Sequence, residues 1–294
     1  MSSDTNPQGG QSHTAAQQRT RIDVWRYVSI ALLLLGCVPM VAPLLWMAVT
    51  SLKPGATAFD LPPTWIPREW HFENYSTLFH SDAPIGAFLW NSIIISGVVT
   101  IVQLITSSMA GYAFAHLSFR GGKSLFLLML TSLMMPLQVT IIPMYLIMSW
   151  LNLVDTHWAI ILPLSTSAFG VFLLRQFFMT LPRELLEAAR IDGANHWVTF
   201  FRIALPLARP MLATLGIITF TNTWNNYFLP LVFLNSWEKM TLPLGIFSLS
   251  NVYGSGNVAV IMAGVALAIL PVLIVFLIAQ RQIIAGLTSG AVKG

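Results

Sequence analysis

Charge is what this chain has least of. Asp, Glu, Lys and Arg together make up 9% of its 294 residues, against 55% hydrophobic ones. A soluble domain carries about a quarter charged residues, so this composition excludes an ordinary water-exposed surface and indicates a bilayer as the main solvent. Cysteine is nearly absent too: Cys37 stands alone inside a long apolar run, which excludes an internal disulfide. No Asp, Glu, Lys, Arg or His falls near the middle of any such run. Ionisable groups at bilayer depth cost at least ~2.5–3.5 kcal/mol and mark proton or ion coupling, so their lack argues against a proton-coupled pump or antiporter. The six His residues, at 13, 71, 80, 116, 157 and 196, show no metal-ligand spacing. No paired carboxylates and no nucleophile-and-base set share one pocket. The sequence offers no catalytic residue and no metal site, and the chain does not read as an enzyme.

What is present is a set of six apolar stretches, at 28–50, 88–115, 124–149, 157–179, 209–233 and 257–280. Each exceeds the ~20 residues a helix needs to cross about 30 Å of hydrocarbon. Backbone groups cannot go unpaired in lipid, and stretches of this length suit helices rather than barrel strands. The expected fold is an all-α membrane protein with six transmembrane helices.

All but three of the 15 Lys and Arg fall on one set of connections. Arg19, Arg21 and Arg26 precede the first span, and Arg120 and Lys123 join the second to the third. Arg175, Arg183, Arg190, Arg202 and Arg209 surround the fourth-to-fifth connection, and Arg281 and Lys293 follow the last span. The other side has Lys53, Arg68 and Lys239 with six carboxylates, including Asp155. The positive-inside rule makes the first side cytoplasmic, and both termini with it. The net charge of +4 is thus a topology signal and gives no support to nucleic-acid binding. Residues 1–25 are polar and expected to be a disordered cytoplasmic tail, followed by a transmembrane domain over 26–294. The first span is long for a signal-peptide core and reads as a retained anchor.

The outer loop from Lys53 to Ala87 holds Pro54, Pro62, Pro63, Pro67 and Pro84, which predicts an ordered irregular loop with at most a short helix. Asn74-Tyr-Ser matches a glycosylation triplet that chance supplies often. Gly121-Gly-Lys-Ser124 lacks the earlier glycine of a phosphate-binding loop, since position 117 is Leu, and reads as a tight inner turn. Pro136, followed by Pro143, is expected to kink the third span. Ser107, Ser108, Ala110 and Gly111 suit close helix approach in the second.

Two segments carry polar chemistry. In the fifth span, Asn222, Asn225 and Asn226 fall at i, i+3 and i+4, on one helix face beside Trp224 and Phe228. Two readings stand: a polar lining for a hydrophilic solute, with Trp224 or Phe228 in a constriction, or interhelical hydrogen bonding at about 0.6 kcal/mol per pair. Three amides on one face beside aromatics favour the first. The other segment is charged. A helix over 182–192 places Glu184, Glu187 and Arg190 on one side and Leu185, Leu186 and Ala189 on another. Pro182 suits its first turn and Gly193 its end. A second amphipathic run, Trp197 to Leu205, stops at Pro206. From periodicity, a membrane-surface hairpin and a docking surface are equally supported.

The spacing Glu-Ala-Ala, three residues, Gly, nine residues, Ile-x-Leu-Pro resembles the cytoplasmic signature of permease subunits in binding-protein-dependent ABC importers. Glu187, Ala188, Ala189, Gly193, Ile203, Leu205 and Pro206 occupy its fixed positions. Asn91-Ser92, Gly111-Tyr-Ala-Phe-Ala115, Leu174-Arg-Gln-Phe-Phe178, Trp224-Asn225 and the ending Gly286 to Gly294 resemble the carbohydrate branch, the six-span maltose permease type. The resemblance covers about 28–294 and implies a type I ABC importer permease fold in a bacterial inner membrane. It implies that a coupling loop, 181–206, docks into an ATPase cleft, that Glu187 pairs with a basic residue there, and that Gly193 turns between two coupling helices. Arg190 and Asp192 belong to the same loop. It also implies a second permease subunit forming a heterodimer, an ATPase dimer holding ATP and Mg, and an extracytoplasmic solute-binding protein. No cofactor is expected on this chain. The loop 234–256, with Trp237, Lys239 and the Gly-Ser-Gly run at 254–256, corresponds to one that reaches toward the binding protein, and the terminal tail to one at the ATPase interface. The implied solute is a sugar or polyol. A glycerol-phosphate-type solute is the alternative, since Leu174 to Gly193 is similar to that branch as well. A secondary transporter would show inverted repeats and buried ionisable residues, and neither is seen.

Overall fold

In the computed structural model the described residues are 12–58, 60, 62–81, 83–253 and 257–291, without the side chains of 12–24, 56, 183, 190, 250–253, 279 and 281–291. Every element among them is helical. Helix α1 spans Ser12–Thr50, α2 Glu73–Phe79, α3 Ile85–His116, α4 Gly122–Thr131 and α5 Leu137–Trp150. There follow α6 Trp158–Leu164, α7 Ala168–Met179, α8 Arg183–Ile191, α9 His196–Thr199 and α10 Leu205–Leu207. The chain ends with α11 Arg209–Trp224, α12 Phe228–Phe233, α13 Leu242–Tyr253 and α14 Val258–Ala291. Four stretches are long and apolar enough to cross a membrane: Trp25–Thr50, Ile85–His116, Trp158–Met179 and Val258–Ile278. Two bent helix pairs raise the number to at most six. The Gly-Ser-Gly run at 254–256 and the first eleven residues of the expected tail lie outside the described residues.

Several expected spans are interrupted, each for a local reason. The kink expected at Pro136 is a 106° bend between Gly122–Met134 and Leu137–Trp150. Pro136 lacks an N–H for the helix ladder and its fixed φ suits the extended link instead. The stretch 157–179 breaks at 165–167, where Ser167 is extended and its hydroxyl oxygen caps α7 by accepting the Gly170 N–H at 3.1 Å. The stretch 209–233, expected as one helix, ends at Trp224 and resumes at Phe228. A continuous helix there would drive the Pro230 ring into the Asn226 carbonyl. In the observed break Pro230 sits in the first turn of α12, where proline is tolerated, and Asn226 Oδ1 accepts the Leu229 N–H at 3.0 Å.

Helix α3 runs through the middle of the bundle against α7 and α11, and α14 packs on α11. The approach of α3 to α7 is close because position 111 is glycine: a Cβ there would stand 2.9 Å from the Arg175 backbone nitrogen. Small residues thus substitute for the hydrophobic effect, which is absent between helices in lipid. Buried side chains form three clusters. One joins Phe88, Trp224, Leu242 and Val260; a second joins Ile95, Ile160, Leu229 and Phe233; a third joins Tyr112, Leu174, Phe178, Phe200 and Leu215. By contrast the apolar side chains of Trp25–Thr50 are almost all exposed, as a lipid-facing or partner-facing helix requires.

The outer loop holds one 3₁₀ turn, Gly55–Thr57, and the short α2, in line with its prolines. Asn74 is buried and its amide donates to the Ser51 and Lys53 carbonyls at 2.9 and 2.8 Å, which pins the loop to the last turn of α1. The buried Lys53 lies over the Trp46 ring at 4.2 Å; burial lowers its pKa and Asp60 partly offsets this.

Candidate functional site

The charged segment folds as a projection. In α8, Leu186 and Ala189 are buried, while Glu184, Glu187 and Ala188, and Asp192 just after the helix, are exposed. Leu185, expected with the buried side, is 40% exposed. The side chains of Arg183 and Arg190 lie outside the described set, and the expected Arg183–Glu187 pair with them. Gly193 has φ +83° and the Ala194 N–H donates to the Ala189 carbonyl at 2.9 Å. This six-to-one bond over a left-handed residue is how a helix terminates when the chain must turn sharply. Two residues later Asn195 accepts the Val198 N–H at 2.9 Å through its side chain and starts α9.

The second run does not stop at Pro206 as expected. Phe200–Ala204 forms one π-helical turn, in which the Leu205 N–H donates to the Phe200 carbonyl five residues back, and the helix continues to Leu207. The wider turn accommodates a proline that an α-helix would reject, because Pro206 has no N–H for Arg202 and its ring would meet that carbonyl. A 74° bend then leads into α11. Ile203, Leu205 and Pro206 are half-buried.

Phe200 is the attachment point. Its ring lies 5.1 Å from Tyr112 of α3 and 6.5 Å from Phe178 of α7. Residues that sequence reasoning did not single out complete the surface: Ile191 is 87% exposed, and Trp197 stacks on Phe201 at 6.1 Å, both exposed. The i, i+4 spacing of Trp197 and Phe201 was the available signal. The projection therefore presents carboxylates and large apolar groups side by side.

The second site is an open cavity of about 440 Å³ between α3, α6, α7 and α11. Asn222, Asn226, Gln103, Ser167, Thr219 and Thr223 line it beside Leu164, Phe169, Leu215 and Ile218, and among the described residues no charged side chain does. Gln103, on α3, went unnoticed in sequence because one amide in a long span carries no pattern. Its Nε2 donates to the Leu164 carbonyl at 3.0 Å and its Oε1 accepts from the Thr219 hydroxyl. Thr106 donates to the Ser165 carbonyl at 2.9 Å. These bonds satisfy carbonyls freed by the break between α6 and α7, which lipid could not satisfy.

The geometry separates the residues grouped here from sequence. Asn222 and Asn226 face the cavity together, although α11 ends at Trp224 between them. Trp224 is 1% exposed and its indole N–H donates to the Ala268 carbonyl at 2.9 Å, so it is a packing residue between α11 and α14 and not a constriction. Asn225 and Phe228 do not line the cavity.

At the opposite end from the projection, Asp155 gathers the turn after α12. It accepts the Asn235 and Ser236 N–H groups at 2.9 and 2.8 Å and the Ser236 hydroxyl, and pairs with Lys239 at 3.0 Å. These donors, chiefly Ser236, hold its carboxyl well below the usual carboxylate range. Charge counting put Asp155 and Lys239 on one side and Arg120, Lys123 and Arg175 on the other. The structure pairs the first two and brings the last three to a common cavity.

An all-helical bundle with interrupted spans, an uncharged cavity carrying amides and hydroxyls, and a projecting helix pair defines an integral-membrane transport component. Residues 103–288 match the model of the binding-protein-dependent transport system inner membrane component family, and the chain belongs to that family. It is 40% identical over 256 residues to the arabinooligosaccharides transport system permease protein AraQ of Halalkalibacterium halodurans, covering 86% of this chain and 91% of the relative. It is 34% identical over 279 residues to the sn-glycerol-3-phosphate transport system permease protein UgpE of Yersinia enterocolitica, covering 93% and 98%. The fold is that of a bacterial ABC transporter involved in the import of the acidic polysaccharide alginate, with a TM-score of 0.76 at 23% identity over 94% of this chain and 99% of that one. A further alginate transporter structure, in complex with a pentasaccharide-bound periplasmic protein, gives 0.64 at 16% identity, covering 88% and 95%. The chain is thus a multi-pass inner-membrane transport component with the type I ABC permease fold, from a family of permeases and not of enzymes.

Proposed function

We propose that this chain is one of two different permease subunits of an ATP-driven importer for a sugar or polyol. It crosses the membrane six times with both termini inside, supplies half of the pathway through the cavity at Gln103, Asn222 and Asn226, and supplies one coupling loop. A second permease, two ATPase subunits that hold ATP and Mg, and an extracytoplasmic binding protein complete the machine. The observation that carries this reading is the projection itself. Glu187, Ala188, Asp192 and Gly193 are exposed on it, and Phe200 ties it to α3 and α7, the helices that bound the cavity. Movement of a docked ATPase then reaches the cavity through packed side chains.

A glycerol-phosphate solute has the support of the UgpE relative. The cavity favours a neutral solute, because a phosphate desolvated there would meet amides and hydroxyls but no cation. The test is ATP hydrolysis by the reconstituted complex. Glu187→Lys is expected to abolish ligand-stimulated hydrolysis or assembly, and unchanged values for both would end the coupling hypothesis. Calorimetry on the purified binding protein, with neutral sugars against glycerol phosphate, decides the solute class.

A further inference from the structure

Where α3 turns into α4 the structure holds a cavity of about 850 Å³, separate from the one at Gln103 and Asn222. Arg120, Lys123 and Arg175 line it with Phe119, Leu127 and Leu130, and among the described residues no carboxylate does. None of the three cations has an ion-pair partner among the described residues. Arg175 is held in place from one side only: its Nε donates to the Phe114 carbonyl at 3.2 Å and its guanidinium lies 4.2 Å over the Phe126 ring. Its terminal amino groups meet no acceptor among the described residues. Helix α4 starts here from Gly121, at φ +80°, with no side chain capping its first-turn N–H groups. Three cations beside a helix start without a side-chain cap ask for an anion. The outer wall is apolar, and Leu127 is 63% exposed toward the surroundings of the bundle.

We infer that this cavity is a binding site for an anionic phospholipid of the cytoplasmic leaflet. The phosphate sits among Arg120, Lys123 and Arg175, and the acyl chains run along Leu127 and Leu130. A free phosphate shares the polar half of this chemistry but gains nothing from the apolar wall. The assignment of this end to the cytoplasmic side rests on the topology proposed above. Labelling of Ser118→Cys by an impermeant maleimide, expected only from the cytoplasmic side, checks that separately.

The test is native mass spectrometry of the intact complex, delipidated and titrated with phosphatidylglycerol, phosphatidylcholine or inorganic phosphate. Phosphatidylglycerol is expected to bind more tightly than phosphatidylcholine. The double substitution Arg120→Gln with Lys123→Gln is expected to weaken phosphatidylglycerol roughly thirtyfold, the equivalent of about 1 kcal/mol for each cation near an anionic leaflet. Both side chains are exposed, so folding is not at stake. Unchanged affinity in the double variant, or equal binding of the two lipids, overturns the site. Displacement of phosphatidylglycerol by inorganic phosphate at similar concentration overturns the lipid and leaves a free-anion site.

Discussion

Gln103 of α3 and Thr219 of α11 share a buried hydrogen bond, with the threonine hydroxyl donating, while the same glutamine donates to the Leu164 carbonyl at 3.0 Å. One side chain thus joins three helices at the point where α6 breaks. Gln103→Leu leaves a hydroxyl and a carbonyl unpaired at bilayer depth, and the expected destabilisation is about 1–3 kcal/mol. The thermal midpoint of the solubilised complex reads this. Adding Thr219→Val is expected to recover part of the loss, since it removes one of the stranded groups.

Asn222 and Trp224 lie two residues apart and have opposite roles. Asn222→Leu is expected to lower transport severalfold while assembly and thermal midpoint hold, because an exposed cavity wall is altered. Trp224→Ala empties a buried site and removes the indole bond to the Ala268 carbonyl, at an expected cost of about 3–5 kcal/mol. Uptake assays and denaturation on both variants separate the two. Equal stability of Trp224→Ala and wild type would contradict the packing role.

Phe200→Ala is expected to loosen the projection from Tyr112 and Phe178. The readout is the ratio of solute moved to ATP hydrolysed: it falls while hydrolysis itself continues. A ratio equal to wild type would show that force reaches the cavity by another route.

Gly193→Val places a β-branched side chain at φ +83°. The expected strain is about 1–2 kcal/mol, with Gly193→Asn milder because asparagine visits this region more readily. The comparison is made by stimulated ATPase activity, in the order wild type, Asn, Val.

Asp155 gives a pH dependence. Its carboxyl is depressed in the folded state, so the turn it holds is stabilised at neutral pH and loses that support only as pH falls below the ordinary Asp value of about 3.9. Asp155→Asn is expected to lower the thermal midpoint at pH 7, with the gap to wild type narrowing below about pH 4. A gap independent of pH would show that charge is not the agent.

The helical membrane class and the exposed charged segment were legible because they depend on properties counted along the chain. Apolar length reports bilayer crossing, and the Glu187-to-Pro206 spacing reports a loop. Charge counting grouped Asp155 with Lys239 and Arg120 with Arg175 before any contact was visible. The breaks were not legible. Ser165 to Ser167 and Asn225 to Tyr227 fit a helix by composition, since nothing local says which carbonyls another helix will satisfy. Trp224 beside three amides looked like a constriction because its partner, Ala268, is 44 residues away.

The sequence by itself determined that this protein lives in a membrane, which connections carry its positive charge, and where a charged segment stands between apolar ones. Those are sums over residues, and the order of residues suffices for them. The tertiary structure alone decided which polar groups face a cavity and which are packing. In lipid every freed backbone group must find a partner inside the protein, and only the assembled helices reveal that Gln103 and Thr106 answer the break at Ser165 while Asn222 is left facing the cavity.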